Sequence, residues 1–102
     1  MAVRIEWAAE ALDDVDDIAE YISKDSPFYA KAVVKKIRAM SLSLADFPER
    51  GRIVPEWGAP DIRERFAYSY RLIYRVSAGE VGILAVIHSR RQLESIEDRV
   101  IE

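Results

Sequence analysis

The sequence predicts an α+β domain of order β-α-α-β-β-β, with an N-terminal strand and an antiparallel helical hairpin packed on a mainly antiparallel sheet. Three observations carry this reading. Helical periodicity runs from Ala8 to Leu44 with one break at Asp25-Ser26-Pro27, three strand-like stretches follow Ile62, and a length of 102 residues fits one domain spanning 1–102.

Val3, Ile5 and Trp7 alternate with Arg4 and Glu6, the period-2 pattern of a half-buried strand. Ala8, Leu12, Val15, Ala19 and Ile22 then recur at helical steps while Asp13, Asp14, Asp16, Asp17 and Glu20 cover the other face, which predicts an amphipathic helix ending near Lys24. Asp25-Ser26-Pro27 offers an N-cap followed by Pro at the first helical position. Ala30, Val33, Val34, Ile37, Met40 and Leu44 continue the period until Pro48 stops it, giving a second helix over about 27–46. The short connection forces the two helices into a hairpin and brings the acidic face of the first toward Lys31, Lys35, Lys36 and Arg38.

Residues 48–61 hold three of the four Pro and two of the four Gly and read as an ordered irregular loop. Strands are predicted over 62–66, 70–76 and 81–89, the last two joined through Ser77-Ala-Gly-Glu80. The continuously apolar run Val81-Gly-Ile-Leu-Ala-Val-Ile predicts a central strand covered on both faces. Residues 92–102 show no strong periodic pattern, so their removal is expected to leave the fold intact.

A chain of this size buries about two thirds of the surface its unfolded form exposes, enough for one core without a staple. It contains no Cys and one His, which removes thiol chemistry, disulfides and protein-only zinc patterns, so no metal or cofactor is expected. No apolar run approaches the roughly 18 residues of a membrane span and the N-terminus lacks the order of a secretory signal, so the cytoplasm is the default compartment and no membrane partner is expected.

Charge is polarised along the chain: residues 1–30 carry 2 basic and 8 acidic side chains, residues 31–91 carry 12 and 6, and residues 92–102 carry 1 and 4. The middle segment can therefore present a local basic surface in a protein of net charge −3. Arg63 and Arg65 share a strand face, as do Arg71 and Arg75. Arg50 and Arg52 in the loop and Arg90 and Arg91 after the last strand add to a guanidinium-rich surface, only partly offset by Glu56, Asp61, Glu64 and Glu80. Tyr68, Tyr70 and Tyr74 offer aromatic faces for bases or packing.

If Val76 pairs with Val81, Arg71 opposes Val86, Ser69 opposes His88, and Arg71 and His88 become diagonal neighbours on one face; a one-residue slip separates them. With Glu56 as base, Arg71 holding the transition state and His88 as acid, such a face would suffice for metal-free RNA cleavage by 2′-hydroxyl attack.

The segments Asp13-Asp-Val-Asp-Asp-Ile-Ala-Glu-Tyr-Ile22, Phe47-Pro-Glu-Arg-Gly-Arg-Ile-Val-Pro-Glu56, Tyr70-Arg-Leu-Ile-Tyr-Arg-Val76 and Val81-Gly-Ile-Leu-Ala-Val-Ile-His-Ser-Arg-Arg91, in that order and spacing, resemble the RelE/ParE superfamily of type II toxin-antitoxin toxins. The resemblance covers almost the whole chain. It implies the α+β fold above, a two-gene plasmid-stabilisation operon, and a small antitoxin partner whose partly disordered segment folds over the toxin in a hetero-oligomer.

Two activities share that fold. On the RelE-like branch the resemblance implies a ribosome-dependent mRNA endoribonuclease using Glu56, Arg71 and His88; on the ParE-like branch it implies a poison of DNA gyrase with no chemistry of its own. The chain has no Lys after Lys36 and ends its last strand in Arg90-Arg91-Gln92 instead of a terminal tyrosine motif. Together with a long hairpin carrying Tyr21-Ile22, Asp25, Pro27 and Ala30, this favours the ParE-like branch. Its contact surface for gyrase or antitoxin is then expected to comprise Arg52, Trp57, Arg63, Arg65, Arg71, Arg75, His88, Arg90 and Arg91. A third reading is a non-toxic, antitoxin-binding homologue.

Overall fold

The computed structural model describes residues 2–101. Its elements are β1 (Arg4–Trp7), α1 (Ala9–Ser23), α2 (Pro27–Ser43), β2 (Arg52–Ile53), β3 (Ile62–Ala67), β4 (Tyr70–Ser77), β5 (Glu80–His88), a 3₁₀ turn (Leu93–Ile96) and α3 (Glu97–Ile101). The five strands form one sheet in the order β1-β5-β4-β3-β2. Its successive pairs are antiparallel except for β1, which lies parallel to β5. β5 is thus interior, as its apolar run predicts.

Local chemistry explains the hairpins. Ser26 is extended and its Oγ accepts the Tyr29 N–H at 3.1 Å, while Pro27 opens α2 where no intrahelical donor is needed. The β4–β5 turn places Gly79 at φ 74°, a conformation glycine adopts without a Cβ penalty. Lys31, Lys35, Lys36 and Arg38 form no ion pair with α1 among the described residues, so the hairpin is held by apolar packing and not by the charge pairing its sequence suggests.

Each sheet face has its own core. On one face α1 and α2 pack Ala11, Val33, Ile37 and Leu44 against Leu72, Tyr74, Ile83 and Val86. On the other, Val54, Ile62, Ile73, Ala85 and Ile87 are covered by Leu93, Ile96, Trp57 and Val100. The C-terminal segment therefore roofs the second face, which overturns the expectation that it is dispensable.

That roof is fastened to the far side of the molecule. β1 ends at Trp7, so beyond Ile83 the outer edge of β5 has no strand partner. Asp14 of α1 replaces it by accepting the Val86 N–H at 2.9 Å, and Arg99 of α3 donates to the Leu84 carbonyl at 3.2 Å. Arg99 and Asp14 also pair with each other at 2.7 and 3.2 Å. The Asp14 hydrogen bond raises the Arg99 pKa further, against the opposing effect of burial.

Gly51 sits where the loop crosses β3. Its N–H donates to the Tyr74 hydroxyl at 2.8 Å, and a Cβ there would stand 2.6 Å from both that hydroxyl and the Glu64 carbonyl oxygen. Gly51→Ala is expected to cost about 1–3 kcal/mol of stability through overpacking. Urea unfolding would show it as a lower midpoint at unchanged slope.

Candidate functional site

A β-bulge decides which polar residues meet. From the turn, Val76 pairs with Val81 and Tyr74 with Ile83 as predicted, but Leu84 is then an extra residue, and Ile73 pairs with Ala85. Past the bulge Arg71 opposes Ile87 and Tyr70 opposes His88. The expected Arg71–Val86 and Ser69–His88 pairs do not form, and Arg71 and His88 project from opposite faces.

His88 accordingly lies on the helix side. Its ring meets Tyr70 edge to face, with centroids 5.5 Å apart, and its Nδ1 accepts the Arg90 N–H at 3.1 Å. It lines a hollow with Asp17, Tyr21, Tyr70 and Arg91, away from Glu56. The proposed base–arginine–acid triad is therefore split: Glu56 and Arg71 meet, and His88 does not join them.

The four strand arginines divide in the same way. Arg63 and Arg65 alternate with the second-face residues Ile62 and Glu64 and so belong to the helix side. There Arg63 donates to the Gly51 carbonyl at 3.0 Å and Arg65 contacts Ser43 Oγ at 3.4 Å. Arg71 and Arg75 lie on the second face. Arg75 is tied to Asp61 at 3.5 Å and to the Val100 carbonyl. A single basic sheet surface holding all four is not what the chain builds.

The second face instead holds a tight ionic cluster. Arg71 is 5% exposed and Glu64 1%. Arg71 Nε donates to Glu64 Oε1 at 2.7 Å, with Nη2 2.5 Å from the same oxygen, while Nη1 and Nη2 each reach Glu56 at 3.2 Å. Every nitrogen of the guanidinium faces a carboxylate oxygen. Arg52 Nε closes the cluster on Glu64 Oε2 at 2.7 Å.

Burial opposes the charge on Arg71, but its hydrogen bonds to Glu56 and Glu64 prevail and raise its pKa. The Arg71 hydrogen bond likewise lowers the Glu56 pKa below its ordinary 4.5. Any stability from that pair is therefore complete above pH 4.5 and is lost only as pH falls through the lowered native value.

Phe66, directly opposite Arg71 in the β3–β4 ladder, supplies the aromatic surface here. Phe66 is 44% exposed, and the Arg52 and Arg71 guanidinium carbons lie 5.4 and 5.8 Å from its ring centroid. Tyr74, one of the predicted stacking residues, is fully buried. Burial also raises its phenol pKa, and its hydroxyl is held by Gly51. Tyr70 is half-buried against the helices and Tyr68 forms the exposed β3–β4 turn at φ 55°.

Beside the cluster runs a cleft of about 370 Å³. Arg71 and Glu56 line it with Trp57, Arg90, Arg91 and Leu93, and Glu94 and Glu97 of the C-terminal roof add two acids. Of the predicted contact residues the structure thus gathers Arg52, Trp57, Arg71, Arg75 and Arg90 on one side, with the candidate base Glu56, and leaves Arg63, Arg65 and His88 on the other, while Arg91 lines both hollows. Neither Glu64 nor Phe66 is expected in the site from sequence: Glu64 enters as a counter-charge and within the resembling segment Ile62-Arg-Glu64, and Phe66 only as the end of a predicted strand. Alternation from Ile62 through Glu64 to Phe66 was the signal that places both beside Arg71.

The family model described as the ParE toxin of the type II toxin-antitoxin system parDE matches residues 5–93. Toxin RelE2 of Caulobacter vibrioides is 32% identical over 89 residues, which are 86% of this chain and 97% of that protein. Among solved structures, a chain of the chromosomal ParDE system from P. aeruginosa aligns with TM-score 0.69 at 22% identity, covering 85% of this chain and 96% of its own. A mutant of the E. coli toxin RelE in the free state aligns over 100% of both chains with TM-score 0.72 at 18% identity. These two share the fold. On the family match across most of its length, the chain belongs to the ParE toxin family of type II toxin-antitoxin systems, within the RelE/ParE superfamily.

Proposed function

We propose that this toxin arrests growth by poisoning DNA gyrase and that a cognate antitoxin neutralises it. The observation that carries the reading is the state of Arg71. An arginine that stabilises a phosphorane must present free N–H groups to the phosphate, with a base and an acid converging on the same atoms. Here the inner edge of Arg71 is saturated by buried Glu64, its outer edge is paired with Glu56, and no acid converges on it, because the lone histidine is on the other side of the sheet. A protein that acts by contact needs no such convergence. The match to the ParE family model supports the same branch.

The antitoxin partner is supported by the solved relatives, several of which are complexes by their own description, including the toxin-antitoxin complex RelBE2 from Mycobacterium tuberculosis, 24% identical with TM-score 0.59. The alternative is ribosome-dependent mRNA cleavage by Glu56, Arg71 and His88. A reconstituted translation reaction read by primer extension separates the two. Messenger RNA is expected to remain intact at toxin concentrations that stop growth, and new cleavage within ribosome-bound codons would replace the gyrase reading with the nuclease one.

A further inference from the structure

The two carboxylates on Arg71 are not equivalent. Glu64 is buried, fixed by the β3 ladder, and held at 2.5 and 2.7 Å. Glu56 sits on the loop between β2 and β3, its side chain 49% exposed, and both of its contacts are 3.2 Å. The Glu64 carboxylate is enclosed and has no route to water, whereas Glu56 leaves by rotation of its own side chain. Its two-point contact shows that the outward Nη1–Nη2 edge of Arg71 accepts a planar carboxylate.

We propose that Glu56 is a displaceable internal plug, and that the Arg71 edge beneath it is the seat for a carboxylate side chain of an acidic peptide segment. The inference rests on the toxin-antitoxin reading and gives that partner its chemistry. Charge selects this ligand over a nucleic acid. Arg71, Arg90 and Arg91 line the cleft against Glu56, Glu94 and Glu97, so departure of Glu56 leaves one excess positive charge, which one carboxylate cancels. A strand of phosphates would bring further negative charge against Glu94 and Glu97. Trp57 and Leu93 in the same cleft offer apolar walls to the neighbouring peptide side chain.

A tethered plug competes with an incoming ligand at millimolar effective concentration, so neutralising it strengthens binding. The test is fluorescence anisotropy with a labelled peptide carrying one Glu beside one Leu, a control peptide with Gln replacing that Glu, and a short oligouridylate. Glu56→Gln is expected to bind the Glu peptide about tenfold more tightly than the natural chain and the Gln peptide no more tightly. NMR shifts on titration are expected at the Arg71 Nε–H and the Trp57 indole.

Glu56→Ala, giving the same gain, guards against a glutamine-specific effect, and dispersed spectra confirm that both variants fold. Equal affinity of the natural and Glu56→Gln chains for the Glu peptide would overturn the proposal. So would tighter binding of the oligouridylate, or shifts confined to the helix side. The reaction contains neither gyrase nor ribosomes, so failure of the toxin reading in those assays leaves this outcome separately readable.

Discussion

Arg71→Ala is expected to lower the free energy of unfolding by about 3–5 kcal/mol, the range seen when one member of a buried ion pair is removed. Glu64, 1% exposed, would keep only Arg52, whose own side chain is largely exposed. Glu56 reaches water by turning outward and adds little to the loss. The expected signature in urea is a midpoint shifted strongly down with the slope retained.

Because the loss comes from a stranded carboxylate, the double variant Arg71→Met with Glu64→Leu is expected to be more stable than Arg71→Ala. Arg71→Ala with unchanged stability would mean that Arg71 is held for function alone. Loss of toxicity in an Arg71 variant is thus interpretable only beside its unfolding curve.

Truncation after Arg91 is expected to cost at least about 5 kcal/mol, comparable to the whole stability of a small domain. It removes Leu93 and Ile96 from over Ile73, Ala85 and Ile87, and it removes the guanidinium paired with Asp14. Ile96 is fully buried, and Ile96→Ala alone is expected to cost about 2–4 kcal/mol. Circular dichroism of the truncated chain is expected to show lost cooperativity on heating. A truncated protein melting like the full chain would show that the roof contributes nothing.

Periodicity made the helices, their cap at Ser26 and strands β1, β3 and β4 legible in the sequence, and a continuous apolar run did the same for β5, which is buried on both faces. The bulge was not legible. Val81-Gly-Ile-Leu-Ala-Val-Ile is apolar throughout, so no polar residue marks which side each position takes, and inserting Leu84 leaves no trace in the pattern. That one residue moves His88 to the helix side and dissolves the triad inferred from even pairing.

The C-terminal roof was hidden for a different reason. Leu93, Ile96 and Val100 have helical spacing, but the segment is short and acidic, and it docks through an Arg99 contact to Asp14 that no local signal announces. The meeting of Glu56 with Arg71 was only a conditional expectation, since it required the loop to bring Glu56 over the sheet and no local pattern fixes the path of that loop. That Glu64 would saturate the inner edge of Arg71 depends on β3–β4 register, which the sequence leaves open.

This domain is expected to act by contact on gyrase, with Arg71 seated on buried Glu64, apart from His88, and performing no phosphoryl chemistry. A plasmid supercoiling reaction with purified toxin, DNA gyrase and ATP, run with and without the cognate antitoxin, tests it most directly. Loss of supercoiling with accumulation of cleaved plasmid, both reversed by the antitoxin, is the expected result. Full supercoiling with no cleaved plasmid, from toxin that still arrests growth, would contradict it.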